Sequence, residues 1–375
     1  MTYPLAYNAP MATPRSNRRD FLKGQAAVDA LEGFADGLNA ELPKADQPTP
    51  QPPQETYLLE IAREAMAVEF QVLLNASQQS AAAESAVAAL DLVERLEAQM
   101  TVYRESSEVS RINQRAFEEP VAVEPRLFAL FQLALQISRD TGGAYDMTSG
   151  PLSKVWGFYR RQGRMPGQSE ITEALSRVGY QKVLLDDTSG TIRFADAGME
   201  LNLGGIGKGH ALDRMSELLQ KNGVEHFLLH GGRSSVLARG GRAGSGSDQP
   251  GWTVGLAHPL RAGERLAEFR LHHQALGTSG SGTQYFYHQG QRYGHIIDPR
   301  SGQPAGAVLS STVIAPTASE ADALSTAFYV GGSGLAREYC QSRPQIAVIL
   351  VTQAGARLEL EAINLPDDRW KRLSN

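Results

Sequence analysis

With 375 residues, 42% hydrophobic content and a formal net charge of −5, the chain is long enough for one large domain or two packed ones. That charge excludes an electrostatic nucleic-acid binder, which needs a basic face for the phosphate backbone, and no apolar run is long enough to cross a bilayer as a helix. The single cysteine, Cys340, excludes an intramolecular disulfide framework and a cysteine-rich zinc site, and reads as a small buried apolar side chain.

Residues 1–54 are rich in proline and small polar residues and read as a flexible leader and linker without a core of its own. Within them Arg18-Arg19-Asp20-Phe21-Leu22-Lys23 resembles a twin-arginine export signal, but the segment that follows carries Asp29, Glu32 and Asp36 where an export helix is apolar. A short amphipathic helix on Ala27, Leu31, Phe34 and Leu38 is the competing reading. The folded region is expected over residues 55–375.

Tyr57 to Ile61 and Val68 to Leu74 have the composition of strands and predict an opening hairpin. Helical spacing of Ala86, Leu90, Val93 and Leu96 predicts a helix from Ser80 to Met100. Helices are also expected from Pro125 to Asp140, before Gly142-Gly143, and from Ser169 to Val178. Lys182 to Leu185 and Thr191 to Phe194 read as strands around a turn, Gly209 to Asn222 as a helix, and Phe227 to Leu229 as a short buried strand. After a glycine-rich loop from Arg239 to Gly251 come four expected strands, Trp252 to Ala257, Arg265 to Leu271, Thr283 to His288 and Arg292 to Ile297, the last two joined by a tight turn at Gly290. A helix is expected from Ser319 to Val330. Hairpins mixed with helices, without regular strand-helix alternation, predict an α+β fold.

Three places could carry chemistry. The cluster Asn202-Leu203-Gly204-Gly205-Ile206-Gly207-Lys208-Gly209 precedes a helix, where absent side chains and free N–H groups suit a phosphate-bearing ligand, or simply a tight turn. Its spacing fits neither a P-loop nor a dinucleotide fingerprint. Asp322 and Thr326, four residues apart on one helix face, offer the hard oxygens magnesium prefers, yet Ser319 followed by Asp322 is equally a capping box. His295, at the end of an expected strand, could act as a general base or merely pack. Ser279, in Gly277-Thr278-Ser279-Gly280, lacks a nucleophile elbow and reads as part of a tight turn.

Taken in order, Gly143 to Leu152 with Trp156-Gly157-Phe158, the Asn202 to Gly209 cluster, Thr278-Ser279-Gly280, and His295 to Gly302 with Ala321 to Thr326 resemble the ApbE family of FAD:protein FMN transferases. The resemblance spans roughly residues 57 to 365. It implies largely antiparallel sheets flanked by helices in a T-fold-like architecture. It also implies magnesium-dependent transfer of FMN from FAD to a threonine or serine hydroxyl of an acceptor protein, with release of AMP. Carried over by position, His295 is the base, and Gly205, Asp322, Ser325 and Thr326 hold Mg2+. Met66, Tyr103, Ala144, Tyr145, Asp146, Asn202, Lys208 and Ile297 contact FAD. In this context the metal-ligand reading of Asp322 outweighs the cap.

The resemblance further implies an extracytoplasmic location, with a cytoplasmic one as the alternative given the degenerate leader, which also lacks the anchoring cysteine of family lipoproteins. Two departures stand out: Asn202 where the cluster usually opens with aspartate, and Arg233 after Gly231-Gly232, a candidate phosphate contact or surface ion pair. Alternatives to transfer are hydrolysis of FAD to FMN and AMP, or flavin binding without turnover.

Overall fold

A computed structural model describes residues 57–373, apart from 79, 161, 245–250, 281, 283 and 356. The twin-arginine-like leader and the centre of the glycine-rich loop expected over Arg239 to Gly251 lie outside the described residues. None of the described helices is long and apolar enough to cross a membrane.

The strands in chain order are β1 (Leu58–Ala65), β2 (Val68–Asn75), β3 (Val121–Ala122), β4 (Val183–Asp186), β5 (Thr191–Phe194), β6 (Phe227–Gly231), β7 (Ser235–Arg239) and β8 (Trp252–Ala257). They continue with β9 (Arg265–Leu271), β10 (Ala275–Gly280), β11 (Tyr285–His288), β12 (Gln291–Gly294), β13 (Ser310–Ala315), β14 (Ala347–Ala354), β15 (Arg357–Ile363) and β16 (Trp370–Arg372). The helices are α1 (Ser80–Met100), α2 (Glu108–Arg115), α3 (Pro125–Asp140), α4 (Gly150–Val155), α5 (Gln168–Ser176), α6 (Gly207–Lys221) and α7 (Ala318–Gln341).

Eight strands form one sheet in the order β1-β2-β6-β7-β10-β13-β14-β15. Every neighbouring pair in it is antiparallel. The opening hairpin turns at Met66 and Ala67, both at positive φ, the geometry a two-residue turn needs to match strand twist. Side-chain alternation then divides the apolar residues between two cores. Phe227, Leu229, Leu237, Val313, Val348 and Leu350 face a core shared with the helices. Leu228, Val236, Leu276, Ile314 and Ile349 face a second core closed by β8, β9 and β16. The α+β expectation is met.

A third, smaller cluster packs Trp156, Phe158 and Ile297 with Phe286 and Tyr293 of the β11–β12 hairpin. The Trp156 indole N–H donates to the Gly302 carbonyl at 2.8 Å, tying that hairpin and the turn after it to α4. Local rules explain the helix ends. Pro125 opens α3, and the Glu124 carboxylate accepts from the Arg126 and Leu127 N–H groups.

Several expectations need correction. Gly277 to Gly280 is not a turn but the middle and end of β10, paired with β13. The glycine there is required by close approach: a Cβ on Gly277 would lie 2.5 Å from backbone atoms of Ala321. The helix expected from Ser319 to Val330 runs on to Gln341 through an irregularity at Gly332. Its cap is not the Ser319–Asp322 pair. Thr317 caps it, accepting from the Glu320 N–H and donating to the Glu320 carboxylate, while the Ser319 hydroxyl donates to Asp213.

Candidate active site

Asp322 sits on the second turn of α7, 5% exposed, and both its oxygens are engaged. Oδ1 accepts from the Ser235 hydroxyl at 2.6 Å and Oδ2 from the Gly209 backbone N–H at 2.7 Å. Gly209 lies in the first turn of α6, which has no side-chain cap of its own. The carboxylate therefore caps a different helix from the one that carries it, and its charge meets the positive end of the α6 dipole. Lys208 Nζ stands 3.7 Å from the same Oδ2.

One turn further along α7, three hydroxyls converge. Ser279 Oγ, on β10, lies 2.8 Å from Ser325 Oγ and 3.0 Å from Thr326 Oγ1. Ser325 donates to the Asp322 carbonyl at 2.8 Å. Gly205 closes the group from the other side, since a Cβ there would lie 3.3 Å from Thr326 Oγ1 and 3.2 Å from the Tyr145 ring. Sequence reasoning missed Ser279 as a member because glycine-flanked Ser-Gly resembles a turn; its place in the ordered family segments was the available signal.

His295 follows β12 directly. Its Nδ1 is 3.1 Å from the Gln284 carbonyl, which can only accept, so the neutral ring carries its proton on Nδ1 and leaves Nε2 as the basic lone pair. Burial holds its pKa below the ordinary histidine value, partly offset by the Gln284 bond and reinforced by Lys208. The ring is therefore neutral, the form a general base requires.

These groups share one cavity of about 550 Å³, within the range of small-molecule sites. All thirteen residues carried over from the family resemblance line it: Met66, Tyr103, Ala144, Tyr145, Asp146, Asn202, Gly205, Lys208, His295, Ile297, Asp322, Ser325 and Thr326. Asp146 is held by Thr148 and by the Tyr180 N–H, and burial raises its pKa. Tyr145 Oη is buried without a hydrogen-bond partner among the described residues. Asn202 Oδ1 accepts from the Gly204 N–H at 2.9 Å, so the amide performs the turn-closing task a carboxylate would. Arg233 is exposed and does not line the cavity, although its neighbour Ser234 does.

No group of three or more His, Cys, Asp or Glu side chains that could cage a metal occurs among the described residues. One carboxylate, three hydroxyls and the backbone beside Gly205 form instead the oxygen-only, sparsely charged set that suits a magnesium ion sharing its coordination with water and substrate phosphates. The orphaned Tyr145 hydroxyl adds a donor on the same wall.

The fold and this site define a class of α+β protein that sets a neutral base and a hard-oxygen cluster in one cavity, with a lysine at a helix start between them. The ApbE family profile matches residues 66–350, and the chain belongs to that family. It is 32% identical over 265 residues to the FAD:protein FMN transferase of Klebsiella pneumoniae, covering 70% of this chain and 80% of that one. The crystal structure of the ApbE protein from Thermotoga maritima superposes with a TM-score of 0.72 at 30% identity, covering 81% of this chain and 96% of that one. The apo flavinyl transferase ApbE from Pseudomonas stutzeri gives 0.71 at 26% identity, covering 82% and 94%.

Proposed function

We propose that the chain is a transferase that moves FMN from FAD onto a threonine or serine hydroxyl of an acceptor protein, releasing AMP. The observation that carries this reading is the shared wall of the cavity. It combines a base with a free Nε2, at His295, and an oxygen cluster at Asp322, Ser325 and Thr326.

In this reading Asp322, Ser325, Thr326 and the Gly205 backbone would hold Mg2+, which would supply charge neutralisation at the FAD diphosphate. Lys208 stands beside the diphosphate at the positive end of α6. Met66, Tyr103, Ala144, Tyr145, Asp146, Asn202 and Ile297 bind the rest of FAD. His295 Nε2 takes the proton of the acceptor hydroxyl as that oxygen bonds the FMN phosphorus. The bond from that phosphorus to the AMP phosphate oxygen breaks, and AMP leaves with the electron pair. General-base help of this kind contributes on the order of 10²- to 10⁴-fold.

Incubating the protein with FAD, Mg2+ and acceptor, then weighing the acceptor by mass spectrometry, tests the reading. An FMN-sized increment on a hydroxyl supports it. FMN and AMP released with the acceptor unmodified would instead indicate hydrolysis of FAD, and bound FAD without turnover would indicate a binding protein.

A further inference from the structure

We infer that the acceptor segment docks as an added β-strand along the open edge of β11, beside the base. The inference rests on the transfer reading and names where its protein substrate binds.

The ladder geometry fixes which backbone groups are available. The His295 N–H donates to the Gln284 carbonyl at 3.1 Å, and Tyr285 pairs with Gly294, Phe286 with Tyr293 and Tyr287 with Arg292. In an antiparallel ladder hydrogen-bonded pairs alternate with non-bonded ones, so Gln284, Phe286 and His288 spend their N–H and C=O groups on β12. The N–H and C=O groups of Tyr285 and Tyr287 then point away from it. Among the described residues this sheet has two strands only, so nothing pairs with that edge.

The side chains agree with the backbone. Phe286 and Tyr293 stack at 5.4 Å and anchor the hairpin on Trp156 and Phe158. On the opposite face Tyr285 and Tyr287 are 45% and 66% exposed, edge to face at 5.6 Å, with the Arg292 guanidinium 4.0 Å over the Tyr285 ring. Exposed tyrosines on a rigid support are efficient anchors for a polypeptide, offering apolar area at small entropic cost. An edge strand left unpaired invites a further strand.

Position selects the occupant. The open edge begins at Tyr285, next to the Gln284 carbonyl that orients His295, and both Gln284 and His295 line the cavity. An extended segment laid along β11 thus starts beside Gln284, at the cavity that holds His295 and to which a hydroxyl must be delivered. A second copy of this chain pairing edge to edge would gain nothing from that proximity.

The test uses the full chain with FAD, Mg2+ and a pool of short peptides, each with one central threonine, and takes the best-flavinylated peptide forward. In the Tyr285→Ser/Tyr287→Ser double variant the KM for that peptide rises about ten-fold, while kcat and FAD affinity stay within about two-fold. Tyr287→Pro, which removes an outward N–H without touching the β12 ladder, raises KM in the same direction. Peptide binding also slows amide exchange in the segment from Tyr285 to His288. Wild-type KM in both variants, or protection confined to other segments, overturns the dock. So does a dimer that Tyr287→Pro dissociates. A wild-type protein that binds FAD but flavinylates no peptide overturns the transfer reading itself, and the dock with it.

Discussion

The Asp322 carboxylate accepts the Gly209 backbone N–H at 2.7 Å, a contact between two helices that start 111 residues apart, at Gly207 and Ala318. It fastens the start of α6, which carries Lys208, to the face of α7 that carries Ser325 and Thr326. The approach is close enough that a Cβ on Gly209 would sit 2.1 Å from the Ala318 carbonyl oxygen. That neighbour is backbone and cannot swing aside. Gly209→Ala should therefore cost about 3 kcal/mol in a urea melt and abolish transfer, as overpacking against rigid atoms does.

Asp322→Asn separates the structural task from the chemical one. The asparagine oxygen can still accept from Gly209, and its amide can donate to Ser235, whose hydroxyl rotates to accept. Stability should fall by no more than about 1–2 kcal/mol. Transfer should fall at least about 100-fold, with the magnesium half-saturation raised, because the cluster loses its carboxylate.

Ser279→Ala tests the hydroxyl that bridges Ser325 and Thr326. The smaller side chain keeps the β10 pairing with β13, so the melting temperature should hold within a few degrees. The magnesium concentration for half-maximal transfer should rise about ten-fold.

His295 sets the acid limb of the rate. Burial holds its folded pKa below the free value of about 6.5, so the neutral base persists into mildly acidic solution, and kcat falls as pH drops through that lowered value. Below about pH 6.5 the unfolded chain binds more protons at this site than the folded one. Its stability contribution is accordingly complete above that pH and lost as pH falls through the folded pKa. His295→Ala should remove the acid limb, slow transfer by about 10²- to 10³-fold and leave FAD affinity within about two-fold.

Helix reading succeeded where one apolar stripe faces one core, as in α1 and α3, whose expected limits match the observed ones. Strand reading failed where both faces are buried. No strand was expected over β13 or β14, yet Val313 and Ile314, or Val348 and Ile349, face opposite cores, which removes the polar alternation that marks a strand. The thirteen residues carried over from the family resemblance, scattered from Met66 to Thr326, all line one cavity. Which helix Asp322 caps was not legible, because the capped N–H belongs to Gly209, remote in sequence. Nor was the role of Ser279, since Gly277, two residues before it, serves close contact with Ala321 and not a turn.

The central claim is tested most directly by the mass of an acceptor protein after incubation with this chain, FAD and Mg2+, read beside the nucleotide products. The account predicts an FMN-sized gain on a threonine or serine, AMP released in equal amount, and both products formed at least about 100-fold more slowly by the Asp322→Asn protein. An acceptor of unchanged mass while FAD is consumed to FMN and AMP would contradict it.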